Sequence, residues 1–412
     1  MASRFQAPRG TFDVLPGQGR ARARLERAAA EIFARAGYEP IATPAFEDTA
    51  LFERGVGKST DIVRKEMFTF EDKGARSLTL RPEGTAPICR AYLEHGMHKL
   101  AQPVKLSYLG PFFRHERPQA GRYRQFHQLG IECIGADSPL ADAEAIMLLG
   151  DLLAELGVPG VELRLGSLGS LDSRREYLDA LKAHLRAHEG DLSADVRERI
   201  DLNPLRAFDS DHEGTRAVMA SAPTIVGALE DEDAEHFAEV KSLLDAAGIA
   251  YVVDPTLVRG LDYYSRTIFS FVCDRLGAQS EIGGGGRYDG LIEQLGGAPT
   301  PAVGFAAGIE RILLALDEEV PAAGRDAFIA VADPSQNERA MRLAAELRHA
   351  GISAEVDLVG RALRSQLKHA DRIGARRVLI LDGDGSAQLR EMDSGEQREF
   401  DASQVIEKMR ER

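Results

Sequence analysis

Residues 104–109 and 125–134 are apolar and rich in strand formers, and the stretch between them, 114–124, is polar and basic. Two strands joined by a long basic loop follow from that pattern. The loop region carries Arg114, Arg117, Arg122 and Arg124 against the single acid Glu116. An arginine at a strand end presents a rigid fork that matches two phosphate oxygens, and Phe126 on the returning strand offers a face for a nucleobase. Alone, the arrangement suits any basic hairpin.

Around this hairpin the texture of the chain changes several times. Arg20–Ala36 places Leu25, Ala28, Ala29, Ile32 and Phe33 at helical spacing and stops at Gly37, so it reads as a helix. Met67–Phe70 and Ser77–Leu80 read as a hairpin turning at Asp72-Lys73-Gly74. From Leu171 to about Ile249 the sequence is charged and alanine-rich, which predicts a mainly helical insertion with Ser173–His188 and Glu235–Ala247 as its clearest helices. Strand composition returns at Tyr251–Val253 and Thr267–Cys273. The glycine run Gly283–Gly286 follows, then a helix at Tyr288–Leu295. At Gly304–Arg311 small residues open an apolar helix with an arginine one turn in. That arginine is costly without an anionic partner, which could be a bound anion, Glu310 or another neighbour.

Glu318–Arg325, with Pro321 and Gly324, reads as a linker. Past it the pattern alternates: a strand at Phe328–Val331, a helix at Gln336–Ala350, a strand at Ser353–Leu358, a helix at Arg361–Ile373 and a strand at Val378–Leu381. Such alternation implies a small α/β domain with parallel pairing. Arg361, Arg364, Lys368 and Arg372 are spaced to share one face of its second helix.

The bulk numbers exclude several classes. A length of 412 residues allows two or three domains, and 44% hydrophobic with 28% charged residues is an ordinary globular balance. A net charge of −14 argues against a nucleic-acid partner for the chain taken whole. Binding depends on local patches, however, and residues 112–124 and 361–377 are both strongly basic. Cys89, Cys133 and Cys273 lie far apart and form no C-x-x-C pair, so neither zinc nor a disulfide framework is indicated. The polar first ten residues and the lack of any apolar run of about 18 residues lead to the expectation of a cytoplasmic protein with no membrane span.

Two glycine motifs mislead. Gly55-Val-Gly-Lys-Ser-Thr60 looks like the end of a P-loop, but Phe52 stands where that pattern needs glycine, and Thr49–Arg54 is no buried strand. Gly283–Gly286 lacks dinucleotide-site spacing, and its glycines suit either a backbone passing close to something flat or close packing of two chain segments.

In combination the motifs are specific. Phe113-Arg114-His115-Glu116 with Gly121-Arg-Tyr-Arg-Gln-Phe-His-Gln128 resembles motif 2 of the class II aminoacyl-tRNA synthetases, and GFAAGIERIL from Gly304 resembles motif 3. GYEPIATPAFED, residues 37–48, is similar to motif 1, the family's dimer element. TLRPEGTA at 79–86, LVRGLDYYSRTIF at 257–269 and GGGGRYDGL at 283–291 resemble the histidine-specific members. The likeness implies an α+β chain: a class II antiparallel-sheet catalytic domain over 1–320, with the helical insertion at about 172–249, and a C-terminal α/β anticodon-binding domain over 326–412. It also implies ATP-dependent activation of L-histidine, transfer to tRNA(His), and a homodimer.

Carried over by position, the family's roles put Arg114 on the α-phosphate of ATP and the histidine carboxylate. Glu116 reads the adenine and Phe126 stacks on it, while Arg122 and Arg311 hold the outer phosphates. Glu83 and Thr85 take the substrate's α-amino group, with Gln128 nearby. Glu132 and Tyr264 grip the two imidazole nitrogens, and Tyr263 lines the same pocket or packs in the core. Arg259 lies against the α-phosphate, where related synthetases place magnesium. Arg117 and Gln119 meet the tRNA acceptor end. ATP brings its own Mg2+; no tightly bound cofactor and no protein metal site is implied.

The family commonly has glutamate where Ser270 stands, so any role of that carboxylate is absent here or moved. Asp382-Gly-Asp-Gly385 and Leu389–Glu391 also depart from the usual anticodon-domain pattern. The regulatory subunit of ATP phosphoribosyltransferase shares the catalytic fold but generally lacks the last domain, whereas here Glu83, Arg114, Arg259 and Arg311 are all present.

Overall fold

The computed structural model describes residues 5–277, 280–317, 320–321, 324–383, 386–399 and 405–410. The chain divides into two compact units, Met1–Val320 and Pro321–Arg412.

The first unit runs α1 (Pro16–Arg35), β1 (Glu39–Pro40), β2 (Phe46–Asp48), α2 (Thr49–Gly55), β3 (Phe68–Glu71), β4 (Ser77–Leu80), α3 (Thr85–Glu94), β5 (Val104–Phe113), β6 (Gln125–Ile134), α4 (Pro139–Leu156) and β7 (Val161–Ser167). The helices α5 (Arg174–Ala187), α6 (Ala194–Arg199), α7 (Glu213–Met219) and α8 (Asp231–Ala246) follow. Then come β8 (Val252–Val253), β9 (Ser265–Cys273), β10 (Glu281–Arg287), α9 (Leu291–Gln294), β11 (Ala302–Gly308) and α10 (Ile309–Leu316). Eight strands form one sheet in the order β1-β5-β6-β11-β10-β9-β7-β8. Its inner pairs are antiparallel, and only the edge pairs β1–β5 and β7–β8 are parallel. β2, β4 and β3 make a smaller antiparallel sheet.

Strand alternation creates the site. Leu129, Ile131 and Cys133 of β6 enter a core shared with Leu25 and Phe33 of α1, Leu149 of α4, Phe237 of α8 and Ile312 of α10. With a side-chain period of two, Phe126, Gln128 and Glu132 must face the other way. Opposite them on β5 stand Phe112, Gly110 and Leu106.

The glycine run packs two chain segments closely, as its composition suggests. Gly283–Gly286 lies inside β10, clamped between β9 and β11. A Cβ at Gly283 would come 2.6 Å from that of Ala307, so close packing of neighbours selects glycine here over any strand former. The helix expected from Tyr288 shortens to Leu291–Gln294. Gly304–Gly308 likewise belongs to β11, and the helix with Arg311 begins only at Ile309.

The second unit runs β12 (Ala327–Val331), α11 (Asn337–His349), β13 (Ala354–Val356), α12 (Leu363–Arg372), β14 (Arg377–Leu381), β15 (Ala387–Glu391) and β16 (Gln397–Glu399). The sheet order is β13-β12-β14-β15-β16, with parallel pairing among the first three strands and antiparallel pairing of the last two. The sequence anticipates the parallel part and misses the closing hairpin. Arg361 precedes α12 and forms an ion pair with Asp357, so the exposed basic face is Arg364, Lys368 and Arg372. Asp384 and Gly385, half of the atypical string, lie outside the described residues, as do the linker positions 318–319 and 322–323. Among the described residues, no helix is long and apolar enough to cross a membrane.

Candidate active site

Glu132 is 1% exposed, and both its oxygens accept hydroxyls: Thr85 donates at 2.7 Å to one and Tyr288 at 2.5 Å to the other. Its room comes from the neighbouring strand, because β6 pairs Glu132 with Gly304, where a Cβ would come 2.8 Å from the carboxyl carbon. Burial pushes the carboxyl up to about 8, even though both hydroxyls favour the ion. Burial also raises the phenols of Tyr263, Tyr264 and Tyr288, which keeps them protonated as donors near neutral pH.

Glu83 sits at the start of α3, where its carboxylate accepts the backbone N–H of Thr85 at 2.8 Å and of Ala86 at 2.9 Å. Orphan amides at a helix N-terminus suit an anion. Tyr263 stacks against Tyr264 (centroids 4.7 Å apart) and Tyr288 (5.7 Å) and directs its hydroxyl to Glu83 at 3.4 Å. Tyr263 is therefore packed in the core with its hydroxyl in the same cluster. Glu83, Thr85, Glu132, Tyr263 and Tyr264 come together, joined by Tyr288.

A second group lies along β5, β6, β10 and α10. Arg114 is fixed by a hydrogen bond from Nε to the Pro82 carbonyl at 2.9 Å, and its guanidinium lies 5.4 Å from the Phe126 ring centroid. Glu116 is 4.0 Å from Arg114 and 3.3 Å from Arg122. Arg311 donates to the carbonyls of Glu281 at 2.5 Å and Gly121 at 3.3 Å. Glu310 is not its partner; that carboxylate binds the His127 backbone at 2.9 Å and ring at 2.8 Å, tying α10 to β6. Arg259 stands 5.7 Å from the Tyr264 ring centroid, linking the two groups, and donates to Glu281 at 2.7 Å. Arg117 and Gln119 remain exposed on the loop.

Three buried polar atoms in these groups have no hydrogen-bond partner among the described residues: Glu116 Oε2, Gln128 Oε1 and Arg259 Nε. Buried polar atoms are nearly always paired, so orphans at one site mark places for a bound molecule. A polar cluster beside fixed cations can select a small amino acid and hold a polyphosphate. Among the described residues no group of His, Cys, Asp or Glu is arranged to hold a metal ion.

The Gly55–Thr60 string works as a latch. Gly57 has φ +102 and a Cβ there would approach Asp262, whose carboxylate binds Ser59 and accepts from Asn203 at 2.9 Å. This holds the segment before Tyr263. Arg174 of α5 adds a bond to the Tyr264 carbonyl at 3.0 Å. The sequence reading missed Tyr288 and Glu281 as site residues. Tyr288 was inside a recognised string, hidden by its glycines, whereas Glu281 lies in no motif.

A family model described as Histidyl-tRNA synthetase matches residues 10–312, and one described as Anticodon binding domain matches 326–412. The histidine–tRNA ligase of Thermosynechococcus vestitus is 48% identical over 95% of this chain and 93% of its own length. That of Halothermothrix orenii is 48% identical over 98% of each. The apo S. aureus histidyl-tRNA synthetase matches with a TM-score of 0.83 and 36% identity, covering 98% of this chain and 100% of that one. The protein from Bacillus halodurans described as an ATP phosphoribosyltransferase regulatory subunit/histidyl-tRNA synthetase is 23% identical with a TM-score of 0.68, a likeness of fold alone. With a matching family model over most of its length and relatives at nearly half identity from end to end, the chain belongs to the histidyl-tRNA synthetase family.

Proposed function

We propose that the cluster around Glu132 selects L-histidine and that Arg114, Arg122, Arg259 and Arg311 hold ATP, in an enzyme that joins histidine to tRNA(His). The observation that carries this reading is a buried carboxylate, Glu132, within electrostatic reach of the buried phenol of Tyr264. Neutral imidazole has one N–H donor and one bare nitrogen, so a carboxylate and a hydroxyl satisfy one each. An analogue lacking either nitrogen leaves a buried group unpaired, which discriminates strongly.

Activation needs no protein nucleophile. The histidine carboxylate attacks the α-phosphorus in line, the bond to the β-phosphate oxygen breaks, and pyrophosphate leaves with Mg2+. Positioning and neutralisation of phosphate charge supply the rate. Arg114 and Arg259 serve the α-phosphate, Arg122 and Arg311 the outer phosphates, Phe126 and Glu116 the adenine, and Glu83, Thr85 and Gln128 the substrate's amine and carboxylate. Arg117 and Gln119 meet the acceptor end, and the 326–412 domain takes the anticodon arm. We assign the enzyme to the cytoplasm as a homodimer, in which the exposed Phe46 and Phe70, 6.2 Å apart, would be covered. A purely regulatory role is not favoured, since the near full-length relatives are ligases.

Histidine-dependent ATP–pyrophosphate exchange, followed by charging of histidine tRNA, tests the reading; no exchange with histidine rejects it. Tyr288→Phe should raise the KM for histidine about tenfold at pH 7, because the lost hydroxyl favours the Glu132 ion. Steady-state exchange measures this, and an unchanged KM rejects the support role of Tyr288. Replacing Arg364, Lys368 and Arg372 together with alanine should reduce the salt slope of tRNA binding by about 2–3 and leave exchange intact. Charging at graded salt measures the slope, and no change removes α12 from the tRNA surface.

A further inference from the structure

Glu281 contacts both Arg259 and Arg311, and none of the recognised strings includes it. Its carboxylate accepts from Arg259 Nη1 at 2.7 Å, and its carbonyl accepts from Arg311 Nε at 2.5 Å. The strand is built to deliver it. Pairing of β10 with β9 shifts register between Glu281 and Gly283. Ile282 is buried in the helix-covered core, and the missing Cβ of Gly283 faces Ala307 of that same core. Two consecutive residues on one face mark a bulge, and a bulge re-aims the preceding side chain. Strict alternation from Gly284 would have turned Glu281 into the core instead.

The bond to Glu281 leaves a particular part of Arg259 unpaired. Nη1 is taken, whereas Nε is buried and without a partner among the described residues. Nε and Nη2 form the lateral edge of a guanidinium, the edge that forks onto two oxygens. We propose that Glu281 is a positioning residue for adenylate formation, gripping Arg259 by Nη1 so that its lateral edge faces the reacting phosphate. The inference rests on the proposed place of Arg259 at the α-phosphate.

Ser270 completes the arrangement. It lies near enough to Glu281 to favour its ion, and it pairs with Gly284, whose added Cβ would stand 3.0 Å from both the Ser270 Cα and Arg259 Nη1. A carboxylate introduced at position 270 therefore approaches the same guanidinium from the neighbouring strand. The Glu281 side chain keeps 47% of its surface exposed, so its desolvation is partial, and Arg259 holds the carboxyl below its ordinary value. The pair is thus ionised at working pH.

Histidine-dependent ATP–pyrophosphate exchange on the full chain tests the proposal, with Arg259→His assayed alongside. Glu281→Ala should lower kcat about tenfold to thirtyfold, with the KM for histidine within about threefold of the parent. Glu281→Gln, which keeps an oxygen acceptor without the charge, should fall between the two. Ser270→Glu added to Glu281→Ala should recover kcat to within about threefold, an outcome that a merely structural role for the Glu281 segment would not give. A kcat for Glu281→Ala within about twofold of the parent, or a loss that Ser270→Glu does not repair, overturns the proposal. If Arg259→His is crippled while Glu281→Ala is not, only the Glu281 inference falls. If Arg259→His is itself harmless, the phosphate role of Arg259 falls and takes the inference with it.

Discussion

Arg259→His should lower histidine-dependent ATP–pyrophosphate exchange about a thousandfold, equivalent to roughly 4 kcal/mol of transition-state stabilisation. Histidine affinity, in contrast, should change by less than about threefold. The asymmetry follows from what the guanidinium touches. Its contacts in the protein are Glu281 and the face of Tyr264, and no hydrogen bond ties it to Glu83, Thr85 or Glu132 among the described residues. As the α-phosphorus takes on a fifth oxygen, charge builds on the oxygens nearest that edge. A fixed cation in a site sheltered from water acts on developing charge far more than on the ground state. Imidazole is shorter, offers no lateral fork and loses the bond from Nη1. The chain has no tryptophan, so equilibrium dialysis with labelled histidine is the direct measure of affinity. An affinity collapse matching the loss of rate would reject the phosphate assignment.

Features that depend on composition or periodicity were legible in the sequence. The alternation after residue 326 gave β12, α11, β13 and β14, because amphipathic helices and short buried strands leave distinct periods. The basic loop between β5 and β6 was legible for the same reason. Glycine defeats that reasoning: β10 is a strand because of the space its neighbours leave, and glycine carries no strand preference to betray it. The same holds for Gly304, whose missing side chain makes room for Glu132. Arg361 looked helical by spacing, but Asp357 captures it before α12 begins. β15 is polar and largely half-buried and β16 is polar and exposed, so they lack the apolar signal of a core strand. In the site, residues within recognised strings could be placed in advance, and geometry gathers most of them. Tyr288 and Glu281 matter through what they hold, and a string of letters does not show which side chain supports which.

Glu132→Gln should lower kcat/KM for histidine about a hundredfold, with most of the loss in KM, and relax discrimination against imidazole analogues. The carboxylate serves as an acceptor with no hydrogen of its own, whereas glutamine offers a donor on one side of a site already supplied with hydroxyl donors from Thr85 and Tyr288. The pH dependence makes the prediction sharper. In the ligand-free protein the Glu132 carboxyl is pushed up to about 8, so near pH 7 it is largely protonated. Binding neutral imidazole through its N–H needs the ion, and forming it from pH 7 costs about 1.4 kcal/mol, or tenfold in affinity. Histidine should therefore bind roughly eightfold to tenfold more tightly at pH 8.5 than at pH 7, and Glu132→Gln should abolish that slope. The sign for stability runs the opposite way. Between the ordinary carboxylate range and about 8 the folded chain keeps a proton that the unfolded chain has released, so ligand-free stability falls as pH rises across that window. Thermal unfolding with and without histidine from pH 7 to 8.5, where free imidazole is mostly neutral, separates the two effects. Stabilisation by histidine should grow with pH in the parent and stay flat in Glu132→Gln. An equal pH dependence in both proteins would mean that another group controls imidazole binding, and Glu132 would then be a structural acid of the pocket.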